Sequence, residues 1–313
     1  MTCKVAILGA GYMAEEHIKA FSNISCVELV GIHSRTLIKA EKLSIKYNFS
    51  GKCYTSIEEL YTKSKADLVV ISVSELEVNQ VCMEVFKFPW TCLVEKPAGY
   101  NYDDALSIAK EAEVKKRQVF VALNRRLYSS TRKIVEELSH TSEPRLIHVF
   151  DQENPKYALS VGRPELVVKN WMYANSVHMI DYLILFGRGN IVSVEPVIKW
   201  NPDKQNFVLS KITFDSGDIG IYEAVWNAPG PWAVTITNHK KRWELRPLEQ
   251  LTTQLYGSRK VELLETDDWD KEFKPGIRYQ AEEAVKAALG KATELTTIAN
   301  AMKTMQLIKK IYS

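Results

Sequence analysis

An apolar run from Lys4 to Leu8 breaks into Gly9-Ala10-Gly11-Tyr12-Met13-Ala14, and the residues that follow carry helical spacing. A strand, a Gly-x-Gly-x-x-Ala turn and a helix in immediate succession leave few folds open. The first glycine permits a tight strand-to-helix turn, the second lets a pyrophosphate approach the backbone, and the small Ala14 lets helix and strand pack closely. Phosphates in such a turn rest on the unpaired N-terminal amides of the helix, where the dipole also favours negative charge. The strand before and the helix after make this a dinucleotide site rather than a loose glycine turn. Ala10, Tyr12 and Met13 are expected to contribute through their backbone.

The same alternation continues to about residue 125. Strand-like runs at Val5 to Leu8, Glu28 to Ile32, Leu68 to Ser72, Thr91 to Val94 and Gln118 to Leu123 are separated by helix-spaced segments at 15–21, 37–47, 76–86 and 103–114. Apolar strands alternating with helices predict a doubly covered parallel sheet, an α/β Rossmann domain over residues 1–125. After about residue 140 the texture changes. Strand-like runs at 145–152, 192–200, 207–214, 217–226, 233–238 and 242–246 follow one another, which predicts a large, mostly antiparallel sheet in a second α+β domain over 126–313. Within it 175–186 reads as a helix, and Leu295, Ile298, Met302, Met305 and Ile308 mark a C-terminal helix.

A chain of 313 residues with 46% hydrophobic content has material for about two ordinary cores. Its 41 Lys and Arg and 38 Asp and Glu are interspersed, so no basic stripe points to nucleic acid. Cys3, Cys26, Cys53, Cys82 and Cys92 lack CxxC or His spacing, so they are expected to be reduced thiols and no metal site is expected. The start of the chain does not read as a signal peptide and no apolar run reaches membrane-span length, so a cytoplasmic location is expected.

The acidic residue that would hold an adenosine ribose is missing after the second strand-like run, where Ser34-Arg35-Thr36 stands instead. Glu28 lies at the opposite end of that run. Hydroxyl and guanidinium donors suit a 2′-phosphate, with Lys39 as a helper, so NADP(H) is favoured over NAD(H). An Arg35 that stacks on adenine and accepts either cofactor is the competing reading. Farther on, Lys96 directly follows an apolar run, and Pro97 restricts its backbone to extended geometry. Ligands of open α/β sheets bind beyond the carboxyl ends of the strands, which puts Lys96 at the cofactor edge.

Together, Gly9-x-Gly11-x-x-Ala14, His17, Ser34-Arg35-Thr36, Glu95-Lys96-Pro97-Ala98-Gly99, Asn124-Arg125-Arg126 and His178-Met179-Ile180-Asp181 with Phe186-Gly187 resemble the Gfo/Idh/MocA oxidoreductases. The resemblance covers nearly the whole chain. It implies a Rossmann domain followed by an open-faced sheet domain, a sugar or polyol bound between them beside the nicotinamide, and a homo-oligomer. It also implies a cofactor edge that includes Ser72, Val73, Glu95 and Asn124. Lys96 would hydrogen-bond the reacting oxygen, His178 would act as acid/base, and Asp181, three residues on, would orient the ring. Asn170, Trp171 and Asn175 would border the substrate.

Several residues depart from the family pattern. Ala174 and Ser176 replace an Asp and a Gly common before the His, with Asn175, Tyr173 and Lys169 as candidate compensators. Val73-Ser74 replaces a usual Thr-Pro, and Asn79 stands where His is common. Trp226 to Trp232 forms an aromatic-flanked Pro-rich loop, read as an anchor to the core before a sugar platform. Arg163, Lys169 and Arg246 are candidate contacts for an anionic substrate. The leading expectation is an NADP(H)-dependent oxidoreductase of a secondary alcohol or ketone carbon in a sugar, polyol or nucleotide-activated sugar. The alternatives are a reductase of a non-sugar substrate and a dinucleotide-sensing regulatory protein of the same fold.

Overall fold

The structure is a computed structural model that describes residues 2–48, 52–204 and 206–313. The chain divides into two compact units, one of residues 1–124 with 269–302, the other of 125–268 with 303–313.

The first unit begins with β1 (Cys3–Leu8), α1 (Tyr12–Ser22), β2 (Val27–His33), α2 (Leu37–Lys46), β3 (Lys52–Tyr54) and α3 (Ile57–Ser64). It continues through β4 (Leu68–Ile71), α4 (Val78–Val85), β5 (Thr91–Glu95), α5 (Tyr102–Val114) and β6 (Val119–Ala122). β4 and β6 are buried at every position, as expected of strands covered on both faces. The strand order is β6-β5-β4-β1-β2-β3, all parallel. The order reverses between β1 and β4, where an open α/β sheet leaves a crevice beyond its carboxyl ends. Ala14, His17, Ile18 and Phe21 form the buried face of α1 at three- and four-residue steps.

The second unit follows a 3₁₀ turn at Asn124–Leu127 with α6 (Ser129–Ser139), β7 (Leu146–Glu153), α7 (Pro155–Ser160), α8 (Glu165–Lys169), α9 (Trp171–Ala174) and α10 (Val177–Phe186). The strands β8 (Ile191–Ile198), β9 (Phe207–Phe214), β10 (Ile219–Trp226), β11 (Ala233–Thr237), β12 (Lys241–Leu245), β13 (Leu251–Leu255) and β14 (Glu262–Leu264) complete an eight-stranded sheet with β7. Its order is β14-β13-β12-β11-β7-β10-β9-β8, and every pair is antiparallel except β7 with β10. β7, β9 and β10 alternate strictly between buried and open positions, so one face is covered and the other is not. α10, apolar on nearly all sides, packs against β7 on the covered face.

The chain then adds α11 (Trp269–Glu272), α12 (Ile277–Ala288), β15 (Thr296–Thr297) and α13 (Ile298–Ile311). The sequence division assigns everything after residue 125 to one second domain, but residues 269–302 cluster with the first unit. The cause is local: β15 pairs antiparallel with β6 and becomes the seventh strand, while α12 packs on α1. Arg278 of α12 donates from Nε to Asn23 Oδ1 at 2.8 Å. Periodicity does not predict β3, α3, α6, α12, β13 or β14, and the helix expected from Asn175 starts at Val177. Among the described residues no helix is long and apolar enough to cross a membrane.

Candidate active site

In the first unit, each expected cofactor residue lies at or just beyond the carboxyl end of a parallel strand. Gly9 has φ +117°, and a Cβ there would lie 1.9 Å from the Ser72 carbonyl oxygen, so no other residue fits between the ends of β1 and β4. Its N–H donates to the His33 carbonyl at 2.8 Å, which ties the turn to β2. Gly11 is the N-cap of α1 and makes no side-chain cap, and a Cβ there would meet nothing within 4 Å. Open space in front of an uncapped helix start is what a pyrophosphate needs, so the residues fit a dinucleotide.

Ser34, Arg35 and Thr36 link β2 to α2. The Thr36 N–H donates to Ser34 Oγ at 3.1 Å, and the exposed Arg35 guanidinium pairs with Glu77. Glu28 is exposed at the opposite end of β2 and can take no part in the ribose edge. Ser72 and Val73 follow β4. Asn124 follows β6, is buried, and donates from Nδ2 to the Pro275 carbonyl at 2.9 Å.

Lys96 leaves the end of β5 and precedes a cis peptide bond to Pro97. Its N–H donates to Glu95 Oε2 at 3.1 Å. The other oxygen of Glu95 lies 2.7 Å from Nε2 of His17, which is fully buried on α1. Two residues 78 positions apart thereby lock the strand end that carries Lys96 to the helix that begins the Gly9–Gly11 cradle. His17 stands in the apolar stripe of α1, where a buried polar group requires a partner, and that requirement is the sequence signal for the pair.

In the second unit, His178 is the second residue of α10 and is buried. Asp181, expected from its spacing to orient the ring, is bound from two other segments. Arg126 grips its carboxylate with two bonds of 2.6 and 2.7 Å, and Thr304 adds a third from its hydroxyl at 2.7 Å. A bidentate guanidinium fixes a carboxylate in both geometry and charge. The three expected substrate residues Asn170, Trp171 and Asn175 also have structural partners. Asn170 Nδ2 donates to the Leu166 carbonyl at 2.9 Å, while Trp171 Nε1 and Asn175 Nδ2 donate to Glu153 Oε2 at 2.6 and 2.8 Å.

Motif reading does not single out Glu153. Asp151 and Glu153 occupy the buried register of β7 with Ile147 and Val149, so carboxyls stand where a half-covered strand calls for apolar residues. That alternation is the signal that could have found them. Burial pushes both carboxyls above their ordinary range, Glu153 strongly, and the charge of Asp151 adds to the rise at Glu153.

Several other candidates have structural roles. Trp226 is buried against Trp200 and Tyr312, Trp232 donates from Nε1 to the Gln152 carbonyl at 2.7 Å, and Arg125 lies 4.3 Å above the Trp232 ring. The loop is therefore anchored to the core. Lys169 pairs with Glu165 at 3.1 Å on an exposed helix face, and Asn79 donates to Asp104 Oδ1 at 2.7 Å. Burial pushes the Cys3 and Cys92 thiols up to about 12, which makes them inert packing residues.

Residues 3–123 match the model of an oxidoreductase family with an NAD-binding Rossmann fold. The chain is 24% identical over 204 residues, 62% of its length and 62% of the relative's, to 4-carboxy-2-hydroxymuconate-6-semialdehyde dehydrogenase from Sphingobium sp. (strain NBRC 103272 / SYK-6). It is 25% identical over 189 residues, 58% of its length and 54% of the relative's, to inositol 2-dehydrogenase from Salmonella paratyphi B. The chain thus spans between 54% and 62% of these curated relatives. A solved UDP-N-acetylglucosamine 3-dehydrogenase from Acidithiobacillus ferrooxidans has the same fold, with a TM-score of 0.79 at 14% identity over 99% of this chain and 97% of that one. The first unit is an NAD(P)-binding Rossmann fold.

The raised carboxyls predict how stability depends on pH. The folded Asp151–Glu153 pair retains a proton that the unfolded chain releases above its ordinary carboxylate values near 4, so this contribution is complete at lower pH and is lost as pH rises toward the folded values. Urea unfolding between pH 4.5 and 8 is expected to show wild-type stability falling relative to Glu153→Gln, by about 1.4 kcal/mol per pH unit for each proton retained. Parallel curves would contradict it.

Proposed function

We propose that this chain is a member of the Gfo/Idh/MocA oxidoreductases and that it is an NADP(H)-dependent oxidoreductase of a secondary alcohol or ketone carbon. The substrate class is a sugar, polyol or nucleotide-activated sugar. The observation that carries this reading is the placement of Lys96 at the same sheet edge as the Gly9–Gly11 cradle, held there by the Glu95–His17 contact.

The nicotinamide, when bound, supplies or accepts the hydride. Backbone amides from Gly9 to Met13 hold the pyrophosphate. Ser72, Val73, Glu95 and Asn124 complete the cofactor edge. Lys96 places a positive charge on the oxygen of the reacting carbon, which lowers the energy of the alkoxide character that develops there. His178 takes the hydroxyl proton in oxidation and returns it in reduction, a task suited to a group that titrates near neutral pH. Asp181 acts at one remove by securing α10 through Arg126 and Thr304.

Arg35 sets the cofactor preference. Its pair with Glu77 is exposed on the guanidinium side, and exposed pairs are worth about 0–1 kcal/mol. A charge-assisted bond to a 2′-phosphate is worth about 1.5–3 kcal/mol, so the phosphate outcompetes Glu77.

Wild-type protein is expected to turn over a member of a panel of polyols, hexoses, hexose phosphates and nucleotide sugars with NADP(H). Lys96→Met and His178→Ala should each lower turnover by roughly 10²–10⁴-fold with NADPH binding intact. Unchanged turnover in both variants would refute the assignment, and NADPH binding without turnover across the panel would favour a dinucleotide sensor. Arg35→Ala should reduce the ratio of NADPH to NADH affinity by roughly ten- to a hundredfold, measured by titration of nicotinamide fluorescence. An unchanged ratio would overturn the NADP preference.

A further inference from the structure

β7 ends in two carboxyls on one buried face. Asp151 is 2% exposed and Glu153 fully buried, and they point the same way because strand side chains repeat every second residue. Such a pair is expensive inside a protein unless its charge is reduced and its oxygens are hydrogen-bonded.

Glu153 is surrounded by donors from one short stretch of chain. Trp171 Nε1 from α9 and Asn175 Nδ2 from the linking turn reach Oε2 at 2.6 and 2.8 Å, and Ser176 Oγ reaches Oε1 at 3.1 Å. Ser176 is the N-cap of α10, yet its hydroxyl caps no backbone amide of that helix. It is turned to Glu153 instead. The start of α10, whose second residue is His178, is therefore set by a carboxyl delivered from the sheet.

Asp151 faces the other way in its bonding. Its Oδ2 accepts from the Tyr222 hydroxyl at 2.7 Å, Tyr222 and Tyr312 hydroxyls lie 2.8 Å apart, and Trp226 Nε1 donates to Tyr312 at 3.3 Å. Among the pair's four oxygens, Asp151 Oδ1 is the one with no donor, and it is buried. The two carboxyls stand two residues apart on one buried face of β7, and a proton on the donorless Oδ1 is what lets them lie there together. Arg125 from the 3₁₀ turn is the cation acting on Asp151, with Tyr222, Tyr312 and the donors from α9 and α10 facing the pair on its other sides. Arg125 is itself engaged above Trp232 and with Met179 Sδ at 3.2 Å, so it does not cancel two charges.

We propose that Asp151 and Glu153 share a single proton at neutral pH, and that the remaining negative charge makes Glu153 the positioning residue for His178 by fixing the turn from Trp171 to Ser176. One proton lies between the two carboxyls, and Glu153 accepts from Trp171, Asn175 and Ser176. The raised titration of both groups agrees with one retained proton. The positioning role rests on His178 being the acid/base of the proposed function, whereas the shared proton does not.

The test reads the carboxyls and the imidazole directly, without a substrate. Infrared spectra of the full chain at pH 7.5 should show a deuterium-sensitive protonated-carboxyl C=O band that is absent from both Asp151→Asn and Glu153→Gln. Its persistence in either variant would overturn the sharing. Histidine-labelled nitrogen NMR, with the His178 signal identified by its loss in His178→Asn, follows the ring titration. In Glu153→Gln the His178 midpoint should fall by roughly half a pH unit, as for loss of one nearby negative charge, with His17 and His33 unmoved. An unmoved His178 would overturn the positioning role.

Should Glu153→Gln fail to fold, Ser176→Ala removes one of the three contacts and must shift the same signal. A substrate panel that shows no turnover while both spectroscopic results hold would refute the acid/base role of His178 and leave the proton pair standing.

Discussion

The contact between Gly9 and the Ser72 carbonyl is the constraint on which the first unit depends. Two parallel strands part at that point, and the chain leaving β1 must turn at once into α1 while passing within van der Waals range of the end of β4. Only a residue without a side chain does this at φ +117°. The same turn leaves α1 uncapped and Gly11 facing open space, so the steric demand of the fold and the anion site have one origin. Lys96 inherits its place from this arrangement, because Glu95 connects the end of β5 to His17 on α1.

The second unit is held in a different way, by buried polar groups rather than close backbone approach. Arg126, Asp181 and Thr304 form one closed set beneath α10. Asp218 accepts from Arg188 at 2.6 Å and from the Arg145 backbone at 3.0 Å, and these bonds hold its carboxyl below the usual range against the cost of burial. Glu153 forms the third set, at the opposite end of β7. Groups of this kind specify one arrangement of helix on sheet, since any shift leaves a buried charge or donor unpaired. They explain how an apolar helix such as α10, which could pack in many rotations, presents His178 in one.

Much of this is legible in the sequence where the determinants are local. Runs such as Leu68 to Ile71 and Val119 to Ala122 read as doubly covered strands, and the alternation of Phe207 to Phe214 reads as a half-open one. The glycine cradle, Arg35 and Lys96 stand out because their chemistry lies within a few residues of a strand end. β3 has three residues and α3 eight, too short for periodicity to register. The return of residues 269–302 to the first unit depends on β6 offering a free edge to Thr296 and Thr297, which no local pattern reports. Spacing alone does not report the partner that grips Asp181, because a helical repeat gives a face but not a partner. Its partner Arg126 comes from another segment. Ala174 leaves the turn before His178 without an acid of its own, and Glu153 brings a carboxyl to that turn from the sheet.

Gly11 offers the most direct test, since a Cβ added there meets no atom within 4 Å. Its φ is −95° and nothing lies within 4 Å of the place a Cβ would take, so Gly11→Val should leave the thermal midpoint unchanged. The added side chain fills the space in front of α1, and NADPH affinity measured by calorimetric titration should fall by roughly a hundredfold or more, about 2.7 kcal/mol. A Gly11→Val protein that is folded and binds NADPH as tightly as the wild type would contradict the assignment of this edge to a dinucleotide.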